Sequence, residues 1–295
     1  MKKVYIICGP TASGKTALAV ALAQDLGTEI LSADSRQVFQ ELNIGVSKPE
    51  ASELAAVKHH FIGHVSINED YTAGRFGKEA KEFLNTFFQN HESIVICGGT
   101  GLYIKALTEG LDRPPVSDYI RDEVNELLEE HGLAFLATML EEKDPELAAQ
   151  TNLLNPRRVQ RMLEWVMADK PVSPTQEWPS DWKIIKVAIE IPREELYKRI
   201  DQRVDKMLAK GLWKEAEGFL QSQHLNALQT VGYQEIFEFF DGKSKKENAI
   251  EKIKQHTRNY AKRQITWFKK DLDIVWIEPE NQADMVKAVL ASQGN

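Results

Sequence analysis

A chain of 295 residues is long enough to bury a substantial core as one large domain or two. Its formal net charge of −7 argues weakly against a nucleic-acid partner, and its two cysteines, Cys8 and Cys97, lack the C-x-x-C spacing of a zinc finger. No run of about 18 apolar residues is present to span a membrane.

Val4-Tyr5-Ile6-Ile7-Cys8 is an apolar run bounded by glycine and reads as a buried parallel strand. Because the chain enters this strand almost at once, no signal peptide and a cytoplasmic location are expected. Gly9-Pro10-Thr11-Ala12-Ser13-Gly14-Lys15-Thr16 follows and fits G-x-x-x-x-G-K-[ST], the phosphate-binding loop. Thr16 to Leu26 is rich in Ala and Leu and reads as a helix ending at Gly27. Glycines let successive backbone N–H groups point into one concavity, and the helix N-terminus adds partial positive charge. Lys15 supplies a full charge, and the Thr16 hydroxyl can ligate Mg²⁺.

Glu29 to Ser32 reads as a second strand running into Ala33-Asp34-Ser35-Arg36-Gln37-Val38-Phe39. Residues just past a parallel strand face the ligand crevice, so Asp34, Ser35 and Gln37 are expected near the bound phosphate. Residues 40–76 read as irregular, and His59 and His60 within them as structural. Phe76 to Asn90 reads as a helix and Ser93 to Cys97 as a third strand. Gly98-Gly99-Thr100-Gly101 then forms a second glycine turn into a second helix, with Thr100 placed to donate to an anion. Cys8 and Cys97 end the first and third strands and read as buried free thiols.

Asp112-Arg113-Pro114-Pro115 breaks the pattern. From Ser117 to about Lys170 the chain reads as helical, interrupted at Asp144-Pro145 and Asn155-Pro156, with a proline-punctuated loop from Pro171 to Pro179. Lys183 to Ile189 reads as the fourth strand, Leu196 to Leu220 as one long amphipathic helix, and Asp273 to Ile277 as the last strand after further helices to Lys270. The expected fold is α/β, a P-loop NTPase-like parallel sheet flanked by helices, with 1–113 and 172–295 as the core and 114–171 as a helical insertion. Charge is uneven: Gly110 to Gln150 holds 11 acidic and 3 basic residues (−8), and Lys243 to Lys270 holds 10 basic and 2 acidic (+8). The basic segment fits either a phosphate backbone or a solvated helical face.

A phosphotransferase is the default owner of such a loop, but the third strand ends Ile96-Cys97-Gly98-Gly99-Thr100, without the acid that usually holds Mg²⁺. A nucleotide-kinase-type enzyme taking its acid from Asp34 stays open, as does a non-catalytic RNA-binding protein. The ordered motifs narrow the choice. The loop, Ala33 to Phe39, Asn43-Ile44-Gly45 with Lys48-Pro49, and Gly98 to Tyr103 come first. Asn155-Pro156-Arg157-Arg158-Val159-Gln160-Arg161, Arg199-Ile200 with Arg203-Val204-Asp205, Val231-Gly232-Tyr233 and Thr257 to Phe268 follow. Together they resemble the tRNA dimethylallyltransferase family over nearly the whole chain. Phe39 stands where the family usually has Tyr, Arg157 replaces a common Gln and Lys269 a common Arg. The eukaryotic members' zinc-finger extension has no counterpart, so the resemblance is to the bacterial type.

The resemblance implies transfer of a dimethylallyl group from dimethylallyl diphosphate to N6 of the tRNA adenosine 3′ to the anticodon. Gly9, Thr11, Ala12, Ser13, Gly14, Lys15 and Thr16 would then cradle the diphosphate, with Thr16 contacting Mg²⁺. Asp34 would be the general base, and Thr100 and Arg203 would stabilise the leaving charge. Each has a plainer reading: Asp34 as an indirect metal ligand or turn cap, Thr100 as a helix cap, Arg203 in a surface ion pair beside Asp205. Asp34, Ser35, Arg36, Gln37, Thr100, Arg121, Arg157, Arg158, Val159, Gln160 and Arg161 match tRNA-contacting positions. Arg157, Arg158 and Arg161 share a helical face that suits phosphates, or an exposed face balanced by Glu164. In Thr257 to Lys270, Trp267 and Phe268 read as core, while the segment suits the anticodon stem. A monomer is expected.

Overall fold

The computed structural model describes residues 1–111, 116–168, 178–179 and 181–292. Six parallel strands form one sheet: β1 (Lys2–Cys8), β2 (Ile30–Ser32), β3 (His59–His60), β4 (Ser93–Cys97), β5 (Trp182–Ile189) and β6 (Ile274–Ile277), in the order β3-β2-β4-β1-β5-β6. The helices are α1 (Lys15–Asp25), α2 (Ala51–Ala56), α3 (Ala73–Phe87), α4 (Gly101–Thr108), α5 (Asp118–Lys143), α6 (Pro145–Ala149) and α7 (Pro156–Met167). Then come α8 (Arg193–Ala209), α9 (Leu212–Glu217), α10 (Tyr233–Phe240), α11 (Lys246–Phe268) and α12 (Gln282–Ala291). The chain divides into two compact units, Met1–Thr108 with Trp178–Asn295, and Glu109–Glu177.

In the first unit, β1 pairs with β4 on one side and β5 on the other, which makes it central. Its side chains alternate between two buried faces, as a doubly covered parallel strand requires. Val4, Ile6 and Cys8 pack with Phe76, Leu84, Tyr103 and Leu107 of α3 and α4. Tyr5 and Ile7 pack with Leu18 and Leu22 of α1, Leu196 and Ile200 of α8, and Val289 of α12. The carboxyl ends of β1, β2 and β4 are laced together by backbone bonds: Ala33 N to Cys97 O at 2.8 Å, Gly98 N to Ile7 O at 3.2 Å and Thr100 N to Ala33 O at 3.3 Å. Gly98 has to be glycine here, because an added Cβ would overlap the Ala33 carbonyl.

The second unit has its own core of Val124, Leu136, Leu140, Ala148, Val159 and Leu163. The interruptions expected at Asp144-Pro145 and Asn155-Pro156 are helix starts, with Asp144 capping Leu147 N at 2.9 Å and Asn155 capping Arg158 N at 3.2 Å. Gly132, at φ 80°, kinks α5, which the sequence pattern does not announce. The breaker at 112–115 and the proline-punctuated stretch at 171–177 lie outside the described residues.

Four expectations need correction. The stretch read as irregular contains β3, two residues long and without alternation, tied to β2 through the contact of His60 Nε2 with Glu29. It also contains α2, which starts with a capping box between Glu50 and Glu53 rather than an apolar stripe. The single helix read from Leu196 to Leu220 is two, because Gly211 at φ 101° ends α8 and begins α9. Phe268 is core, but Trp267 is 44% exposed. Among the described residues no helix is long and apolar enough to cross a membrane.

The break at Gly211 turns Glu215 toward the loop of residues 43–48. One Glu215 oxygen accepts from Gly45 N at 2.8 Å and from the Tyr233 hydroxyl at 2.5 Å, and the other accepts from Ile44 N at 2.8 Å. Glu215→Ala strands three donors, so it is expected to lower the unfolding free energy by about 3 kcal/mol. Urea unfolding measures this, and a loss below about 1 kcal/mol would show that the loop is held by other contacts.

Candidate active site

The phosphate-binding loop is wound tightly between β1 and α1. Gly9 (φ 123°), Ala12 (φ 63°) and Gly14 (φ 93°) all have positive φ, and Ala12 takes this conformation without glycine's freedom. Such turning aims successive N–H groups inward. α1 begins with no side-chain cap and no acidic residue in its first turn, which leaves its N-terminal donors for an anion. Ser13 is buried, and its Oγ has no hydrogen-bond partner. Lys15 folds back so that Nζ donates to Pro10 O at 2.6 Å.

A cavity of about 390 Å³ opens from this loop, and Thr11, Lys15 and Thr16 line it. The β2 edge adds Asp34, Ser35, Arg36 and Gln37, and the β4 edge adds Cys97, Gly98 and Gly99. α8 contributes Arg203, and α11 contributes Tyr260, Arg263 and Gln264. Asp34 Oδ1 accepts from Arg36 N at 2.9 Å and Gln37 N at 3.3 Å, so the residue does cap its turn; its Oδ2 takes no hydrogen bond among the described residues. Thr100 Oγ1 accepts from Ser35 N at 3.0 Å and donates to Ser35 Oγ at 3.3 Å, which ties the β4 turn to the β2 turn. Arg203 Nε donates to Ser47 Oγ at 3.0 Å. The ion pair read between Arg203 and Asp205 does not form, because Asp205 pairs with Lys254 at 2.7 Å.

Among the described residues no carboxylate lies within ion-pair distance of Lys15 or Arg203. Burial holds the Lys15 ammonium below the usual lysine value, with Arg203 pushing the same way and Cys97 and Asp34 opposing. Burial likewise lowers Arg203. The Cys97 thiol is pushed up to about 11 by burial, against the pull of Lys15, so it stays protonated and inert at neutral pH. The Tyr260 hydroxyl is pushed up to about 12 by burial and by Asp34. This site offers the part-buried cations Lys15 and Arg203 beside Arg36 and Arg263, an Asp34 oxygen and an open helix end, an arrangement complementary to a polyanion.

The profile of the family described as IPP transferase matches residues 37–271. The chain belongs to the IPP transferase family. It is 47% identical over 285 residues to a tRNA dimethylallyltransferase of Cytophaga hutchinsonii, covering 94% of this chain and 93% of that one. Among solved structures it resembles the tRNA isopentenylpyrophosphate transferase of Bacillus halodurans, with TM-score 0.74, 30% identity and coverage of 98% and 95%. It also resembles a eukaryotic dimethylallyltransferase acting on tRNA, with TM-score 0.79, 27% identity and coverage of 96% and 75%. The sheet is thus the P-loop NTPase-like core expected from the sequence.

Not every expected site residue is available for a ligand. The Thr11 N–H is taken by Gln264 Oε1 at 2.8 Å. The Arg36 guanidinium donates to Asn226 O at 2.7 Å and Ala227 O at 3.3 Å. Gln37 is bonded at both amide ends, donating to Ser47 O at 3.0 Å and accepting from Ser32 Oγ at 3.3 Å. Arg121, Arg157, Arg158, Val159, Gln160 and Arg161 belong to the helical unit. Val159 is fully buried in that unit's core, so its side chain offers no contact surface. Arg161 pairs with Glu164 at 2.7 Å, Arg121 with Asp118 at 3.1 Å, and Gln160 donates to Asn125 at 2.8 Å. Arg157 and Arg158 are exposed and form no ion pair among the described residues. Ser47 and Gln264 go unassigned in the sequence, and Tyr260 reads there only as an aromatic interleaved in the basic segment that suits the anticodon stem, not as a cavity residue. Gln264 leaves a trace there, as an uncharged polar residue on the helical stripe of Ile253, Ala261 and Phe268.

Because the folded Lys15 value is depressed, the unfolded chain binds that proton more tightly. The group costs stability at neutral pH, and the cost fades as pH rises from the folded value toward the ordinary lysine value. Lys15→Met is therefore expected to stabilise the ligand-free protein by about 1 kcal/mol at neutral pH. In calorimetry the variant should lose inorganic diphosphate affinity by about 100-fold or more. A variant that is less stable and still binds would remove Lys15 from the anion site.

Proposed function

We infer that this chain transfers a dimethylallyl group from dimethylallyl diphosphate to N6 of the adenosine 3′ to the anticodon in tRNA, releasing diphosphate. The observation that carries this reading is the joining of unpaired Lys15 and Arg203 with the free Asp34 oxygen around one cavity, in a chain of this family. In the reaction N6 attacks the allylic carbon, the carbon–oxygen bond to diphosphate breaks, and the N6 proton passes to Asp34. Loop N–H groups, Lys15 and Arg203 take up the charge that builds on the departing oxygen. The Thr100 hydroxyl, turning from Ser35 Oγ, adds one donor.

Mg²⁺ suits this donor set. Thr16 and Asp34 offer oxygens at the same cavity, and the described residues hold no cluster of three or more metal-ligating side chains. An ion that keeps several waters and leans on substrate phosphates needs no more than that. Bound there, it would neutralise diphosphate charge.

The tRNA has to present its adenosine unstacked, since N6 is closed off inside a stacked loop. Ser35 stands at the cavity for the base, while Arg157 and Arg158 on the helical unit suit the phosphates of the anticodon stem-loop. A monomer working in the cytoplasm fits this reading.

Purified protein with unmodified tRNA, dimethylallyl diphosphate and Mg²⁺ should give prenyl-adenosine by mass analysis of the tRNA, without ATP. ATP hydrolysis with no product would favour a phosphotransferase. Asp34→Asn keeps the turn cap and removes the base, so kcat should fall about 100-fold or more with tRNA binding retained; a near-normal kcat removes Asp34 from proton transfer. Arg158→Ala should weaken tRNA binding and reduce the slope of log affinity against log salt by about 1. An unchanged slope rules out that phosphate contact.

A further inference from the structure

We propose that Gln264 is a positioning residue that sets the resting place of Lys15 and fixes the spacing of the two glycine turns around the diphosphate site. This rests on the diphosphate reading of the cavity. Gln264 lies on the buried face of α11 and is 6% exposed. Its Oε1 accepts from Thr11 N at 2.8 Å, and its Nε2 donates to Gly99 O at 2.9 Å. One amide therefore bridges the phosphate-binding loop and the turn after β4. The packing is close enough that a Cβ on Gly99 would run into Gln264 Nε2.

Thr11 N–H and Pro10 C=O belong to one peptide unit. Gln264 holds its N–H, and Lys15 Nζ donates to its C=O at 2.6 Å. Fixing that rigid plane fixes where Lys15 waits. It also pins the residue just before Ala12, whose positive φ turns the loop inward. The bridge needs an acceptor and a donor on one short planar group. Glutamine supplies both, and a neutral glutamic acid does too. A carboxylate supplies only acceptors and opposes the Gly99 carbonyl, while methionine fills the space with neither.

Inorganic diphosphate is titrated by calorimetry into wild type, Gln264→Met and Gln264→Glu across a pH series, each variant being read as a ratio to wild type. Kd for tRNA and thermal melting are measured alongside. Gln264→Met is expected to bind diphosphate about tenfold more weakly at every pH, with Kd for tRNA within about twofold. Gln264→Glu is expected to show at least that deficit at neutral pH and to recover toward wild type as its carboxyl gains a proton. A general packing defect would not recover. If Gln264→Met fails to fold, the acid recovery of Gln264→Glu carries the test. Diphosphate binding by Gln264→Met equal to wild type, or a Gln264→Glu ratio flat with pH, overturns the proposal alone. Wild type that binds no diphosphate overturns the reading of the cavity as well.

Discussion

Lys15 and Arg203 are held part-buried at one cavity, with Asp34 nearby but, among the described residues, no carboxylate within ion-pair distance of either. Uncompensated cations in a confined space are unfavourable, and a protein keeps them only if the surrounding fold prevents their escape. Here that fold is the carboxyl edge of a parallel sheet, where three turns are tied by backbone bonds and by the Thr100 and Ser35 hydroxyls. Lys15 rests on a carbonyl and Arg203 on a hydroxyl, partners weak enough to give way to an anion. The site is preorganised because the same contacts that build the sheet edge also fix its charges.

The loop from residue 43 to 48 shows how far this support extends. Ser47 meets Arg203 through its hydroxyl and Gln37 through its carbonyl, while Glu215 grips Ile44 and Gly45 from behind. Tyr233 packs so closely on Gly45 that a Cβ there would meet its ring. A guanidinium from α8 is thus oriented by a loop that α9 and α10 hold in place.

The sheet and the cavity floor were legible in the sequence because their signals are local. An apolar run followed by Gly9 to Thr16 specifies strand, turn and helix within one window, and Gly98 to Gly101 does so again. The five longer strands carry apolar stretches, though Lys186 interrupts that of β5; His59–His60 has none and is recognisable only from its pairing with β2. Gly211 breaks a helix whose amphipathic pattern continues across it, so periodicity alone reads one element where the backbone has two. Arg203 and Gln264 were harder. Their roles come from contacts 156 and 253 residues away in sequence, and no spacing rule reports such pairs. Motif resemblance named Arg203 but treated Gln264 as one more residue of a basic strip. At Val159, a position matched by the resemblance, the side chain is core.

The discontinuity of the sheet-bearing unit also bears on how the chain folds as it is made. β1 is central, yet one of its two flanking partners, β5, is paired from Lys2 with Trp182 to Cys8 with Ala188. β1 therefore keeps one long edge unpaired until β5, which follows the whole helical unit in the chain, has been made. The helical unit, whose contacts are local, can condense during that interval. Folding it shortens the effective span between β4 and β5 and so lowers the entropy of closing the sheet. An insertion with a core of its own can thus serve assembly, since it can condense from local contacts before β5 is available to seal the exposed edge of β1.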